Sequence, residues 1–240
     1  MTLTAFLIGA TGATGSELAK ILANQVPEIS NLRMLQRRHK EDQAKSEKLE
    51  EHLIDFDDMQ KSEAAFAGCD IGFCALGTTR AKSGPKGFYK VDHDYVVNSA
   101  KLAKEKGVKQ FIVVSSTGAN ANSWLLYPRT KGEVENELKA MNFEKLIIVH
   151  PAMIETQREE SRLGETLARL VIRPLSYITD KVMISATDIA KAMVIGALDD
   201  SIKNDVTWNN STLLKKAREF DAKYETGKEE KRPEGGHSCK

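Results

Sequence analysis

Strand-like segments alternate with amphipathic stretches along the first 150 residues of the chain. The strand-like segments lie at residues 5–8, 32–35, 52–55, 71–76, 110–115 and 145–150, and several are short continuous apolar runs. Such runs are typical of parallel strands that are covered on both faces. The clearest amphipathic stretch is residues 88–106, which ends at Gly107 and places on one stripe Phe88, Val91, Tyr95, Ser99 and Leu102. Repeated strand–helix–strand units predict an α/β fold: a Rossmann-type, doubly wound parallel sheet flanked by helices.

The pattern changes after Pro151. Helices are predicted at about residues 160–172 and 187–198, a late strand at 205–208 and a last helix at 211–224. Ser185 and Asp188 resemble a capping box at the start of the second of these helices. We expect a single domain over residues 1–224, in which residues from about 152 onward form a small substrate-side lobe. The charged end of the chain, residues 225–240, is predicted to be a disordered tail.

The composition is that of an ordinary globular protein, with 41% hydrophobic residues and a net charge of +1 in 240 residues. A near-neutral chain lacks a strong attraction to nucleic acid, so we expect no nucleic-acid partner. No apolar stretch approaches the roughly 18 residues of a membrane helix, so no membrane insertion is expected. The three cysteines form no Cys-x-x-Cys pair, and the five histidines show no metal-ligand spacing. We therefore expect a cytoplasmic location and no metal site.

The first strand leads into three glycines spaced three residues apart, Gly9, Gly12 and Gly15. Because glycine has no Cβ, the backbone N–H groups of such a turn can approach a phosphate closely. The helix that follows directs its partly positive N-terminus at the same anion. The spacing is similar to the Gly-x-Gly-x-x-Gly pattern of dinucleotide-binding folds, without being identical to it. The turn predicts a dinucleotide site; the alternative is a glycine-rich strand-to-helix turn without a ligand.

The second strand ends in a basic pair, Arg37 and Arg38. An acidic residue at this place would bind the 2′-hydroxyl of the adenosine ribose in NAD, whereas arginine accommodates the 2′-phosphate of NADP. A planar guanidinium also matches a phosphate in bidentate fashion. The pair therefore predicts NADP(H) as the cofactor. The alternative is that the two arginines only begin the charged surface segment at residues 40–51.

The fifth strand ends in two serines, Ser115 and Ser116, and a Tyr-x-x-x-Lys pair follows at Tyr127 and Lys131. Positions i and i+4 share one face of a helix, so the phenol and the ammonium can point into the same cleft. A nearby ammonium favours the phenolate form of tyrosine, which otherwise titrates near pH 10. A serine hydroxyl would hold the substrate oxygen while tyrosine moves the proton and the cofactor moves hydride.

These residues predict a catalytic set of Ser116, Tyr127 and Lys131. Adjacent strand residues face opposite sides, so only one of the two serines should reach the cleft; Ser116 is favoured, and Ser115 stays open. Pro128 would cost about 3 kcal/mol or more inside a helix but is tolerated in a first turn. The helix that carries the pair should therefore begin near Tyr127.

The segment between the fourth strand and the next helix, residues 78–90, is predicted to be a basic loop. It is either a mobile lid that recruits an anionic substrate or an ordinary surface loop. The charged residues that follow it, Asp92, His93 and Asp94, are expected to form the first turn and solvated face of a helix.

Together these residues resemble an atypical short-chain dehydrogenase/reductase of the extended type. Three further segments, residues 72–80, 91–96 and 131–135, make the chain similar to the Tat-interacting, oxidoreductase-like (metastasis-suppressor) proteins of that superfamily. The resemblance covers about residues 5–200. It implies an NAD(P)-binding Rossmann protein that binds NADP(H).

The resemblance also implies cofactor contacts along the chain. The pyrophosphate would lie on the segment Thr11, Gly12, Ala13 and Thr14. Asp55 would lie near the adenine, Leu76 and Gly77 beside the cofactor, and Lys131 on the nicotinamide ribose. Two later contacts would be Ile154 and Arg162. Where the family has Arg-Pro-Gly, this chain has His150-Pro151-Ala152, which removes an obligate charge and adds a Cβ beside the nicotinamide site.

The expected function is therefore that of an NADP(H)-dependent oxidoreductase that acts on a small carbonyl or alcohol substrate. The resemblance also implies a protein partner, so an NADP(H)-binding regulatory module without turnover is one alternative. A sugar-nucleotide epimerase that uses the same tyrosine is another, although epimerases usually have a larger C-terminal region.

Overall fold

The computed structural model of the protein describes residues 2–40, 46–78, 80–155 and 183–225. Its strands are β1 (Leu3–Ile8), β2 (Ile29–Gln36), β3 (Leu49–Leu53), β4 (Ile71–Cys74), β5 (Gln110–Val114), β6 (Lys145–Val149), β7 (Met153–Glu155), β8 (Met183–Ser185) and β9 (Asn204–Trp208). Seven of them form one parallel sheet in the order β3-β2-β1-β4-β5-β6-β9, and β7 pairs with β8 separately. The order reverses between β1 and β4, as in a doubly wound fold. The predicted fold class is confirmed.

The α-helices among the described residues are α1 (Ala13–Asn24), α2 (Arg80–Tyr89), α3 (Tyr95–Glu105), α4 (Leu126–Ala140), α5 (Ala186–Leu198) and α6 (Asn210–Tyr224). A 3₁₀ helix, Met59–Ala65, precedes β4, and a π-helical turn, Lys90–Asp94, joins α2 to α3. None of the described helices combines the length and the apolar character that a bilayer-spanning helix needs.

Helices cover both faces of the large sheet. On one face α1, α5 and α6 pack against the strands through fully buried side chains such as Leu18, Met193 and Phe220. On the other face α3 and α4 pack through Val96 and Leu138. Strands covered on both faces have no solvated side, which explains their continuous apolar runs.

The described part of the C-terminal region, residues 183–225, belongs to this same layered unit. β9 adds a parallel edge strand next to β6, and α5 lies against α1. The predicted capping box at the start of α5 is confirmed: the Ser185 hydroxyl accepts a hydrogen bond from the Asp188 N–H at 2.9 Å and donates to the Asp188 carboxylate at 2.7 Å. The helix predicted at residues 160–172 and nearly all of the predicted tail lie outside the described residues.

One sequence prediction around residues 78–106 is wrong and a second is confirmed. The loop predicted at residues 78–90 is mostly the helix α2, which Gly84 kinks at φ +65°. The helix predicted at residues 88–106 is confirmed over residues 88–105, with the π-helical turn lying between the end of α2 and the start of α3. The apolar stripe itself is real, since the side chains buried along it include Phe88, Tyr95, Ser99 and Leu102. Gly107, at φ +84°, follows the end of α3.

Candidate active site

The turn between β1 and α1 is a cradle that excludes side chains. A Cβ at Gly9, whose φ is +89°, would lie 2.6 Å from the carbonyl carbon of Ala75, and a Cβ at Gly15 would lie 2.1 Å from the carbonyl oxygen of Gly9. α1 begins at Ala13 after Gly12, with no side-chain cap and no acidic residue in its first turn. The helix therefore presents its partial positive charge to the turn, as a dinucleotide pyrophosphate requires.

A surface pocket of about 270 Å³ adjoins the glycine turn. Its lining combines one residue of the turn with the end of β2 and the segment after it: Thr11, Gln36, Arg37, Arg38, His39 and Lys40. The Glu51 carboxylate on β3 is hydrogen-bonded to Gln36 and, at 2.5 Å, to His39. The predicted arginine pair thus lines one pocket with Thr11, and the basic lining suits a phosphate ester.

The tyrosine of the predicted catalytic set lies in the first turn of α4, which begins at Leu126. Pro128 is therefore also in that turn, as predicted. The Tyr127 ring packs against Phe88 of α2 with 5.6 Å between centroids, and 47% of the residue is exposed. The Pro128 carbonyl accepts a hydrogen bond from the Asn120 N–H at 2.8 Å, which ties the loop after β5 to this helix. The phenol is thus held on one side and accessible on the other.

Lys131 lies one turn further along α4 and is almost completely buried. Its Nζ forms an ion pair of 2.8 Å with Asp92 Oδ1, and Asp92 Oδ2 accepts the Thr78 N–H at 2.7 Å. Burial alone would lower the pKa of Lys131, but the Asp92 carboxylate, with a further contribution from Tyr127, raises it above the ordinary value of 10.5. Lys131 is therefore an ammonium at neutral pH, next to the segment that leaves β4.

The two serines at the end of β5 have different surroundings. The Ser115 hydroxyl is buried and donates to Glu135 of α4, whose same carboxylate oxygen is 2.7 Å from His150 Nε2. The Ser116 hydroxyl is half-buried and donates to the Thr117 carbonyl oxygen at 3.0 Å. Ser115 is thus engaged in a buried polar network behind the strand end, while Ser116 remains nearer to solvent.

Three of the residues implied by the resemblance follow strand ends of the large sheet: Leu76 and Gly77 come after β4, and Asp55 comes after β3. The Leu76 nitrogen borders the glycine turn, 2.8 Å from where a Gly9 Cβ would lie, and a Gly77 Cβ would lie 3.6 Å from Asp92 Oδ1. Asp55 follows β3 and is exposed, with its carboxylate accepting the Asp57 N–H at 2.9 Å. Ile154 is a partly buried residue of β7, and Arg162 lies outside the described residues.

Sequence reasoning missed Asp92 as a site residue and placed it on a solvated face. It is 1% exposed. A signal was present, because Asp92 lies four residues after Phe88 and four before Val96, both of which are buried. Glu135 was also missed, but here the sequence gave no signal, since the serine and the histidine that meet it come from distant segments of the chain.

The described residues offer little other reactive chemistry near this edge. They contain no cluster of three or more histidine, cysteine or carboxylate side chains suited to a metal ion. Burial raises the pKa of the Cys69 and Cys74 thiols to about 11, so both remain protonated and unreactive at neutral pH.

A family model described as NAD(P)H-binding matches residues 9–200. The chain belongs to this NAD(P)H-binding family. It is 42% identical over 166 residues to Protein HTATIP2 of Rattus norvegicus, and the match covers 68% of each chain. It is 38% identical over 172 residues to Protein FMP52, mitochondrial, of Candida albicans, which covers 69% of this chain and 74% of the relative. These matches confirm the family resemblance, and the cytoplasmic location stays a prediction.

Solved structures of the same fold include nucleotide-cofactor complexes. MoeE5 in complex with UDP-glucose and NAD superimposes with a TM-score of 0.63 at 15% identity, over 86% of this chain and 75% of that chain. The Bordetella bronchiseptica enzyme WbmG in complex with NAD gives a TM-score of 0.62 at 12% identity, over 87% of this chain and 73% of that chain. At these sequence identities the likeness shows a shared fold alone.

Proposed function

We propose that the protein is an NADP(H)-dependent oxidoreductase that interconverts a small carbonyl compound and its alcohol. The observation that carries this proposal is the pairing of Tyr127 with a buried, charged Lys131 on the same edge of the sheet as the glycine turn. In doubly wound folds this edge, outside the carboxyl ends of the strands, is where ligands bind.

The preference for NADP(H) over NAD(H) rests on the chemistry of the pocket beside Thr11. Arg37 and Arg38 line it, and two further basic side chains, His39 and Lys40, follow them. The neighbouring carboxylate, Glu51, is hydrogen-bonded to Gln36 and His39. A ribose 2′-phosphate would therefore meet guanidinium groups, whereas the 2′-hydroxyl of NAD would not need them.

The remaining cofactor contacts follow from the turn and from the family resemblance. The backbone of Thr11 to Thr14 and the N-terminus of α1 would hold the pyrophosphate, because both offer N–H groups to an anion. Asp55 would lie near the adenine, and Ile154 and Arg162 would be later cofactor contacts. When bound, NADP(H) supplies or accepts the hydride.

The proton is moved by the residues of the chain. In reduction, the Tyr127 phenol donates its proton to the oxygen of the carbonyl, and in oxidation the phenolate takes a proton from the alcohol. The Lys131 ammonium stabilises the phenolate that reduction leaves behind. The Ser116 hydroxyl donates a hydrogen bond to the same substrate oxygen and so fixes its position. A cytoplasmic location, with a protein partner as the family resemblance implies, completes the proposal.

The test combines turnover with cofactor binding. NADPH oxidation with a panel of carbonyl compounds should be lost in Tyr127→Phe, which removes the phenolic hydroxyl and keeps the ring against Phe88. Calorimetric NADPH affinity should be retained. Tyr224→Phe is the matched control. Tyr224 is the last residue of α6, and its hydroxyl donates a hydrogen bond to Glu28 at 2.9 Å, so the variant loses a tyrosine hydroxyl outside the candidate site. Unchanged turnover in Tyr127→Phe refutes the assignment. Tight NADPH binding by a wild-type protein that reduces no compound of the panel supports a regulatory cofactor-binding protein instead.

A further inference from the structure

The π-helical turn between α2 and α3 aims a carboxylate at the candidate active site. A π-helical turn holds one more residue than an α-helical turn, so the helix face after it is rotated relative to the face before it, and such turns are frequent at functional sites. Here Phe88 of α2 reaches the Tyr127 ring, and Asp92 of the turn reaches Lys131 on the same helix. Two adjoining segments therefore meet both members of the Tyr-x-x-x-Lys pair.

The Asp92 carboxylate joins three parts of the chain. One oxygen is paired with Lys131 of α4 at 2.8 Å, and the other accepts the Thr78 N–H at 2.7 Å, in the segment after β4. The Asp92 side chain is 1% exposed and that of Lys131 is 8% exposed. Water therefore cannot replace either partner, and both carboxylate oxygens are satisfied by protein donors.

The charges around this pair make Asp92 the counter-ion of Lys131. Among the described residues, the largest electrostatic influences on Lys131 come from Asp92, Tyr127 and Cys74, and the Cys74 thiol is neutral because burial raises its pKa to about 11. The other polar side chains of the turn are engaged elsewhere: Lys90 pairs with Asp57 at 2.6 Å, and His93 is hydrogen-bonded to Asp94 and Glu137. A buried ammonium that loses its counter-ion tends to lose its proton.

We infer that Asp92 is a positioning residue of the candidate active site, whose buried carboxylate keeps Lys131 charged and ties it to the Thr78 amide. The inference rests on the proposed function for its catalytic meaning. Lys131 can stabilise the Tyr127 phenolate only as an ammonium, so Asp92 supports proton transfer without touching the substrate. The link to Thr78 also couples this charge to the segment that follows Leu76 and Gly77, beside the glycine turn.

The experiment is a titration of Lys131 in the cofactor-free protein. Lysine side-chain ¹⁵Nζ signals are followed by NMR from about pH 6 to about pH 11, and Lys131 is assigned by its loss in Lys131→Met. In wild type the Lys131 signal should keep its ammonium shift to about pH 10 or above. In Asp92→Asn the midpoint should fall by about one unit or more, which is an increase of about tenfold in the neutral fraction at a given pH. An unchanged midpoint in folded Asp92→Asn overturns the inference.

Two controls separate a charge effect from a general loss of structure. Asp94→Asn changes a carboxylate of the same π-helical turn that contacts His93 and not Lys131, so its Lys131 midpoint should equal that of wild type. If Asp92→Asn is unfolded, the double variant Asp92→Asn/Lys131→Met removes the unpaired ammonium, and its melting temperature should recover. A double variant as unstable as the single one contradicts the inference.

Turnover supplies the catalytic arm of the test. In Asp92→Asn, kcat should fall at least tenfold. The high-pH limb of its kcat–pH profile should shift to lower pH together with the Lys131 titration midpoint. If the wild-type protein reduces no carbonyl compound, the proposed function fails, while the Nζ titration still decides whether Asp92 holds Lys131 charged. If the midpoint moves and the pH limb does not, Asp92 is a structural partner of Lys131 and its positioning role in the reaction is refuted.

Discussion

The hydroxyl of Ser115 donates a hydrogen bond to the carboxylate of Glu135, and both side chains are buried. Glu135 lies on α4, the helix that carries Tyr127 and Lys131, so this bond links the end of β5 to the helix of the candidate site. The same carboxylate oxygen meets His150 at the end of β6. The three side chains therefore hold two strand ends and one helix together, and they give the neighbouring serines different roles.

Exchanging each serine for alanine should separate these roles. Ser116→Ala should lower kcat for carbonyl reduction about a hundredfold, because it removes a donor to the substrate oxygen. Ser115→Ala should retain turnover within a few-fold and lose about 1–2 kcal/mol of unfolding free energy, because a buried hydrogen bond is lost. Steady-state kinetics and urea unfolding of both variants check this. Full activity in Ser116→Ala, with inactivity in folded Ser115→Ala, would assign the role to Ser115.

Gly15→Ala should weaken cofactor binding strongly. A Cβ there would lie 2.1 Å from the Gly9 carbonyl oxygen, a backbone atom that cannot move aside without opening the turn. Calorimetry should show at least a hundredfold weaker NADPH affinity, with a loss of about 1–3 kcal/mol in stability from overpacking.

Gly68→Ala is the control for the glycine turn. Gly68 also has a positive φ, +72°, but no heavy atom lies within 4 Å of a Cβ at that position. This variant should lose about 1–2 kcal/mol of unfolding free energy, because alanine is strained in the left-handed conformation, and it should bind NADPH as wild type does. Equal cofactor affinity in both variants would exclude the turn as the phosphate cradle.

The arginine pocket predicts a selective change in cofactor preference. Arg37→Ala and Arg38→Ala should each weaken NADPH binding about tenfold, since a charge-assisted hydrogen bond to phosphate is worth about 1.5–3 kcal/mol. NADH binding should change less than threefold, because NADH lacks the 2′-phosphate. Arg218→Ala, on the exposed side of α6, should change neither affinity. Parallel losses for NADPH and NADH in the Arg37 and Arg38 variants would contradict 2′-phosphate recognition.

The buried Glu135 should make stability depend on pH. Burial alone raises its pKa, but hydrogen bonds from His150 and Ser115 outweigh burial, so the pKa lies below the ordinary value of 4.5. The unfolded chain therefore binds the proton first as the pH falls. The stabilisation is complete above pH 4.5 and is lost as the pH falls through the folded-state pKa, at about 1.4 kcal/mol for each unit of difference.

Denaturant unfolding of wild type and Glu135→Gln from about pH 7 to about pH 3 measures this contribution. The difference in unfolding free energy should shrink below pH 4.5 as the wild-type carboxylate is protonated. Glu144→Gln is the control, because that side chain is 68% exposed. A difference that stays constant over the whole range would show that Glu135 stabilises the fold without its charge.

Several elements could be predicted from the residues alone because their signals are local. The capping box at Ser185 and Asp188, the start of α4 just before Pro128 and the glycine turn each depend on neighbours in the chain. Residues 78–90 were mispredicted because glycine and proline usually break helices, whereas here Gly84 takes a positive φ and the helical turns continue on either side. The contact of Lys145 could not be predicted in this way, because its partners come from a distant segment. Its Nζ donates hydrogen bonds to the carbonyls of Ala197 and Asp199 at the end of α5, at 3.0 and 2.8 Å.

The sequence by itself determined the layered α/β fold, the cradle of small residues after β1 and the basic pair after β2. These follow from periodicity, from the missing Cβ of glycine and from charge, which are properties of short segments. Only the tertiary structure decided that Asp92 is buried against Lys131 and that the Ser115 hydroxyl donates its hydrogen bond to Glu135. The physical reason is that a charged or polar side chain enters the interior only where a partner from a distant segment compensates its desolvation, and no local pattern records that partner.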